Sequence, residues 1–343
     1  MKSSFYKHGY AALSLVLLAL IVVACGGGEG DTAQPSSAAR PESASASPSA
    51  SPSQSAGTPE TECREISHPQ GTACVPLHPE KTLVLFSEYA DYMLAIGETP
   101  YAVLVTPQYN NELLPYLRDR LPDVKLLEGG TEGLSLEAIL ALQPDLILAD
   151  GGTAEKEYGS LSKIAPTVVL GDAPENPLER WKTDLQKVAE TFGKPEAATQ
   201  ALEELRQSVA EAKEQIAQLS DKRIAFIRVR EKELQLYGTE GHPLNTLLYG
   251  ELGLQPSSLT QPGRVDLSQE LIPELDADYL FLQTDGKEGD DYLAELSGGK
   301  LWQSVPAVRE NRTFKTDYWL YLSWGVLGQK EIVRELLQDL EVS

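Results

Sequence analysis

Short apolar runs that do not alternate with polar residues recur along this chain, and they constrain its architecture more than any other feature. Residues 81–86 (KTLVLF), 101–105 (YAVLV) and 145–149 (DLILA) are hydrophobic at nearly every position. A strand with one face in water alternates. One that does not must be covered on both faces, which is the arrangement of a parallel sheet between layers of helices. Helix signals fall between the runs: residues 91–96 read as a helix stopped by Gly97, and residues 135–142 as a helix capped by Ser135 and ended before Pro144. Gly151-Gly152 reads as a turn. The scheme returns later, with strands expected over residues 223–229, 234–237, 279–283 and 313–315 and helices over 244–252 and 331–340. The expected fold class is α/β, in two lobes with parallel-type central sheets.

Between the two sets lie residues 195–219, rich in Ala, Glu, Gln, Leu and Lys and free of glycine, with Pro195 where a first helical turn tolerates it. As one helix this stretch is a rod of about 38 Å. Packed on both lobes, such a rod restricts them to a small rocking closure, where a short linker permits wide hinging. A long helix belonging to one lobe is the alternative. The first lobe is then expected over residues 61–194 and the second over 220–343.

Residues 1–60 are of a different kind. Lys2 and Lys7 precede an apolar run over residues 11–24, too short for a membrane span of about 20 residues but suited to the core of a secretory signal. The run ends Val22-Val23-Ala24-Cys25, followed by Gly26-Gly27-Gly28, and resembles the lipobox of bacterial lipoproteins, whose cysteine is acylated and becomes the mature N-terminus. Residues 1–24 would then be a signal peptide and Cys25 a lipid anchor on the outer face of the cytoplasmic membrane. An ordinary signal cleaved elsewhere is the alternative. Residues 25–60 are dominated by Gly, Ser, Ala and Pro, too little to bury to offset their own ordering entropy, and read as a disordered tether. About 35 such residues reach roughly 30 Å. Cys63 and Cys74 flank a turn-like segment (SHPQG) in an oxidising compartment, which reads as a hairpin disulfide. Two thiols holding a metal is the rival reading, without CxxC spacing to support it.

Two segments rhyme. Ser135-Leu136-Glu137 opens a helix that runs into DLILA, and Ser268-Gln269-Glu270 opens a segment that runs through Asp278 into the strand at Tyr279. Either glutamate alone is explained by a capping or helix-dipole preference worth about 0.3–1 kcal/mol. The pair is not. With these segments, the lipobox, PEKTLVL at 79–85, AIGETPYAV at 95–103, LWQSVPAVR at 301–309 and NRTF at 311–314, the chain resembles class III periplasmic binding proteins. These are the bacterial substrate-binding lipoproteins of ABC importers for iron-siderophores, haem and cobalamin. The likeness covers nearly all of residues 61–343, and SLEAILALQPDLILA is its most specific phrase. It implies two α/β lobes joined by one long helix, ligand in the cleft between them, no catalysis and no cofactor. It also implies a partner, an ABC permease dimer with its ATPase, into whose arginine pockets Glu137 and Glu270 would dock. Two carboxylates far apart on one face suit a pseudo-symmetric basic socket.

Arg228 and Arg230 lie two apart at the end of an expected strand, so alternation points both to one side. Siderophore-binding relatives resemble this Arg-x-Arg. A guanidinium presents a planar fork to carboxylate or hydroxamate oxygens, in bonds of about 1.5–3 kcal/mol each where the cleft is partly dry. A solvated strand end is the alternative. In the last loop Tyr318, Trp319, Tyr321 and Trp324 would wall the ligand, with Trp319 and Tyr321 preferred to Trp324; core aromatics are the alternative there. In the first lobe, loops at strand C-termini offer Tyr89 and Tyr109. Few cations lie in these loops, which favours a ferric hydroxamate or citrate-hydroxamate over a tris-catecholate.

Other classes fit less well. Lys and Arg number 29 against 51 Asp and Glu, a formal net charge of −22, which repels nucleic acid phosphates. A bare zinc or manganese site needs converging histidines, and beyond the signal only His68, His78 and His242 remain. Haem or cobalamin is the alternative ligand, although Met93 falls inside an expected helix and His242 in a Gly-rich turn expected at the surface. A hydrolase would show G-x-S-x-G or H-E-x-x-H, and the sequence has neither. A structural envelope lipoprotein accounts for the tether and the acidity but not for the paired glutamates. The expected protein is a monomeric, lipid-anchored receptor for a ferric siderophore, not an enzyme.

Overall fold

The computed structural model describes residues 63–106, 111–129, 134–171 and 176–342. The expected signal peptide, Cys25, the tether and Tyr109 lie outside them. The described chain opens with a hairpin, β1 (Cys63–His68) and β2 (Gly71–Pro76), turned at Gly71, where φ is +137°. Cys63 and Cys74 form a disulfide across it, with Cα atoms 5.4 Å apart. Ile66 and Val75 are fully buried, and Arg64 Nη1 donates to Thr191 O at 2.7 Å, which fixes the hairpin to the elements that follow.

Those elements are β3 (Thr82–Val84), α1 (Glu88–Ala95), β4 (Ala102–Val105), α2 (Pro115–Arg118), β5 (Lys125–Glu128), α3 (Leu136–Leu142), β6 (Leu146–Asp150), α4 (Gly151–Leu161), β7 (Thr167–Leu170) and α5 (Arg180–Thr191). The strands pair in parallel in the order β5-β4-β3-β6-β7. Val84, Val103 and Leu148 enter one core layer and Leu83, Ala102 and Ile147 the other, all fully buried, as runs without alternation require. Gly151 and Gly152 are not the turn expected. They begin α4, because Asp150 Oδ1 accepts the Thr153 N–H at 3.0 Å and caps the helix.

The long helix is α6 (Pro195–Ile216), about 33 Å of rod, closed by a 3-10 turn over Ala217–Leu219. Its buried stripe, Ala198, Ala201, Leu205, Val209, Ala212 and Ile216, advances by three or four residues at a time.

Beyond it come β8 (Arg223–Arg230), β9 (Glu233–Tyr237), α7 (Pro243–Asn245) continuing as a π-helical turn over Thr246–Glu251, β10 (Gln255–Pro256), β11 (Val265–Asp266), a 3-10 segment over Gln269–Glu274, β12 (Tyr279–Thr284), α8 (Gly286–Ser297), α9 (Pro306–Arg309), β13 (Thr313–Lys315), α10 (Trp319–Leu322) and α11 (Val326–Asp339). The second sheet runs β11-β9-β8-β12-β13, parallel across β8, β12 and β13. It is antiparallel at β9, because Glu231 and Lys232 alone connect β8 to β9 and a parallel crossover needs roughly a dozen residues. Lys232 accordingly takes φ +57°. The molecule is an α/β protein of two-lobed type, with α6 running from the first sheet's last helix to the second sheet's first strand.

α6 packs on α1 and α5 from the first half and on α11 and the π-helical turn from the second. α11 in turn reaches α1. Asp91, fully buried on α1, accepts the N–H groups of Leu327 at 3.1 Å and Gly328 at 2.8 Å at the start of α11, and the Tyr116 hydroxyl at 2.8 Å. A carboxylate belongs at a helix N-terminus, although burial pushes this one above the ordinary carboxylate range. Gly325 makes the approach possible, since a Cβ there would overlap the Asp91 carboxylate.

Candidate ligand-binding site

In β8 the fully buried Val229 separates Arg228 and Arg230, so both arginines emerge on the other side of the strand. Arg228 is half-buried, with 21% of its side chain exposed, and Arg230 more open at 48%. Asp285, just past the end of neighbouring β12, receives both. Arg228 Nε donates to its Oδ1 at 2.9 Å, Arg228 Nη2 lies 2.6 Å from Oδ2, and Arg230 Nε lies 3.5 Å from Oδ2. Arg228 Nη2 also donates to the Tyr321 hydroxyl at 3.1 Å, and Arg230 Nη1 to Glu233 Oε2 at 3.2 Å. Burial works against the Arg228 charge, but the bond to Asp285 together with the charges of Tyr321, Asp285 and Tyr237 more than offsets it, and the guanidinium stays above its ordinary range.

The aromatic residues divide differently from expectation. Trp319 is fully buried between Phe226, at 6.2 Å, and Phe281, at 5.1 Å, and its Nε1 donates to Glu335 Oε2 at 2.6 Å. It is core, not cleft wall. The reason lies one residue earlier: Tyr318 takes φ +63° and turns the start of α10 inward. Trp324, ranked behind it from sequence, is half-buried and better placed. Its ring lies edge-on to His242 at 5.5 Å and under the Arg180 guanidinium at 5.6 Å, and its carbonyl accepts the Tyr92 hydroxyl at 2.8 Å. Arg180 begins α5 in the first half and His242 precedes α7 in the second, so side chains of both halves meet at Trp324.

His242 is not the surface residue expected. It is half-buried, its Nδ1 accepts the Leu244 N–H at 3.2 Å, and its ring packs edge-on to Tyr237 at 5.8 Å. Burial and then the Arg228 charge push it down to about 4.

On the first sheet, Phe86 stands 39% exposed just beyond β3 and tilts onto Tyr89 at 5.3 Å, which stacks on Tyr92 at 5.7 Å. Tyr89 itself is only 4% exposed, so it backs Phe86 and does not itself form the cleft wall expected of it. Burial, then the charges of Asp184 and Asp150, push its phenol far above the ordinary range. Arg180 Nε lies 3.8 Å from Asp184 Oδ2, and Asp184 Oδ1 accepts the Gly171 N–H at 2.8 Å. Phe86 reads from sequence as the end of the apolar run 81–86, and its place at the strand's C-terminal end, where α/β sheets bind ligands, is the signal that could have marked it. Arg180 carried no sequence signal.

The echoed acids are both exposed. Glu137 lies in the first turn of α3, capped as expected by Ser135 Oγ, which accepts the Ala138 N–H at 3.2 Å. Glu270 lies in a 3-10 segment because Pro273 cannot continue an α-helix. Its own backbone N–H and the Ser268 hydroxyl hold its carboxyl below the ordinary range. Among the described residues no three or more His, Cys, Asp or Glu side chains gather as a metal site, and no helix is long and apolar enough to cross a membrane. An open groove of about 630 Å³ along α5 and α6 shares no lining residue with the arginine cluster.

Two α/β halves held by a single long helix, with donors and aromatic faces gathered where the strands end, define a solute-binding protein of class III type. The chain belongs to the periplasmic binding protein family, whose model matches residues 83–318. Its members are substrate-binding proteins of ABC transporters and not enzymes. Over 336 residues the chain is 27% identical to the iron(3+)-hydroxamate-binding protein YxeB of Bacillus subtilis, covering 94% of each. It is 26% identical over 299 residues to the probable siderophore-binding lipoprotein YfiY of the same organism, covering 82% of this chain and 87% of that one. A FhuD fold-family periplasmic binding protein component of a ferrichrome ABC transporter from Bacillus subtilis shares the fold, with a TM-score of 0.64 at 23% identity over 80% of this chain and 98% of that one.

Proposed function

We propose that this protein captures a ferric siderophore of hydroxamate or citrate-hydroxamate type between its lobes and delivers it to an ABC permease dimer with its ATPase. On this reading it works as a monomer, tethered through lipid on Cys25 to the outer face of the cytoplasmic membrane, with lobes over residues 61–194 and 220–343. The observation that carries the reading is the convergence of Arg228 and Arg230 with Tyr321 at strand ends. Trp324, Phe86 and Arg180 complete the contact surface, and Tyr109 is assigned to it from sequence alone.

Charge favours the hydroxamate class. Asp285 and Glu233 match the two arginines, and Asp184 matches Arg180, so the cluster carries no excess of cations. A neutral ferric trihydroxamate fits such a site, whereas a highly anionic tris-catecholate meets no uncompensated cation in it. The hydroxamate-binding name of YxeB points the same way.

Glu137 and Glu270 are assigned to the permease. Each stands beside an exposed leucine, Leu140 at 60% and Leu271 at 37%, giving each contact an apolar ledge next to its charge. The test pairs binding with uptake. Glu137→Ala with Glu270→Ala is expected to bind ferrichrome, a neutral ferric trihydroxamate, within about twofold of wild type while cellular uptake of labelled ferrichrome falls at least about tenfold. Full uptake by the double variant would contradict the docking role, and wild-type protein that does not bind ferrichrome would contradict the ligand class.

A further inference from the structure

The arginine pair already holds a carboxylate. Asp285 occupies the N-cap position of α8, where an aspartate ordinarily accepts the N–H groups of the first turn, yet its side chain makes no capping bond. Its two oxygens go instead to one edge of the Arg228 guanidinium, at 2.9 and 2.6 Å, with Arg230 Nε 3.5 Å away. Two parallel bonds to one guanidinium edge are the geometry in which arginine receives any carboxylate, a ligand's included. The backbone holds Asp285 there. Its N–H donates to Val229 O at 2.9 Å, and Gly286 turns the chain through φ +58°. Gly289, where a Cβ would overlap Val229 O, lets α8 lie close against β8.

We propose that Asp285 is the specificity-determining residue of the siderophore site, an internal carboxylate that fills the arginine fork and so excludes ligands that depend on a carboxylate of their own. The proposal rests on the siderophore-capture reading and, within it, selects the hydroxamate over the citrate-hydroxamate, whose citrate brings a carboxylate of its own. A neutral trihydroxamate needs only donors, and Arg228 Nη1 has no partner among the described residues. A polycarboxylate needs the fork itself. To take it, the ligand must separate Arg228 from Asp285, which leaves the number of arginine–carboxylate bonds unchanged and sets Asp285 beside a new negative charge. The exchange is therefore uphill, and removing the Asp285 charge makes it downhill.

The probe is iron-free citrate, a polycarboxylate that reads the fork without iron or hydroxamate, titrated calorimetrically into wild-type protein and Asp285→Asn. Asparagine keeps the side-chain shape and serves equally at an N-cap, and Asp285→Ser is the second variant that keeps a capping residue. Citrate is expected to bind both variants at least about tenfold tighter than wild type. The citrate gain should vanish when Arg228→Ala is added to Asp285→Asn. Equal citrate affinity in wild type and both variants, or a gain that survives loss of Arg228, would overturn the proposal. Failure of wild-type protein to bind ferrichrome would overturn the siderophore reading instead, while the citrate comparison still decides whether Asp285 blocks the fork.

Discussion

His242 links the charged and aromatic parts of the cleft through one ring. It stands between Tyr237 and Trp324, caps α7 through Nδ1, and is pushed down to about 4 by burial and by Arg228. Its folded value lies below its ordinary value of 6.5, so on acidification the unfolded chain takes up the proton first. The stability contributed by the neutral ring is present above about pH 6.5 and is lost as pH falls towards 4, by at most about 3 kcal/mol. His242→Asn, which keeps a capping oxygen, is expected to flatten the fall in melting temperature across that window. An unchanged acid profile would contradict this. At this scale the sequence was informative where geometry follows from spacing and silent where it follows from context. Alternation alone put Arg228 and Arg230 on one side of β8. Nothing in the order Tyr318, Trp319, Tyr321, Trp324 distinguishes a core tryptophan from a cleft tryptophan, because the choice depends on the left-handed backbone at Tyr318 and the aromatic rings of two distant strands.

Elements were more legible than residues. Strands β3, β4 and β6 of the first sheet follow from their unbroken hydrophobicity, and α6 from its composition and the absence of glycine, because burial on both faces and helix propensity act locally. The mostly exposed β5 and the short β7 were not expected. The misses come from competition. Gly151-Gly152 opens α4 because the Asp150 cap overrides the glycines, and β9 turns antiparallel because its connection is too short to cross over. The β1–β2 hairpin is small and owes its order to the Cys63–Cys74 bond, the apolar pair Ile66 and Val75, and Arg64. Replacing both cysteines with serine reopens a loop with a sequence separation of 11 and is expected to lower unfolding free energy by about 2–3 kcal/mol in urea titrations. Ferrichrome affinity should be unchanged, since the hairpin contributes nothing to the arginine cluster. An unaltered urea midpoint would contradict the role given to the disulfide.

At the scale of the whole molecule, α6 lies against elements of both halves, and the buried Asp91 ties α1 to the start of α11. Relative motion must bend or slide this packed layer, so on the proposed reading closure on a ligand would be a small rocking of preformed surfaces. On the proposed reading, affinity depends on groups already in place where the strands end, Arg228 and Arg230 above all. Calorimetric titration of ferrichrome into wild-type protein and into Arg228→Ala with Arg230→Ala, at matched melting temperature, reads that dependence directly. Affinity is expected to fall at least about tenfold, equivalent to about 1.4 kcal/mol. Equal affinity in the two proteins would contradict capture at the arginine pair.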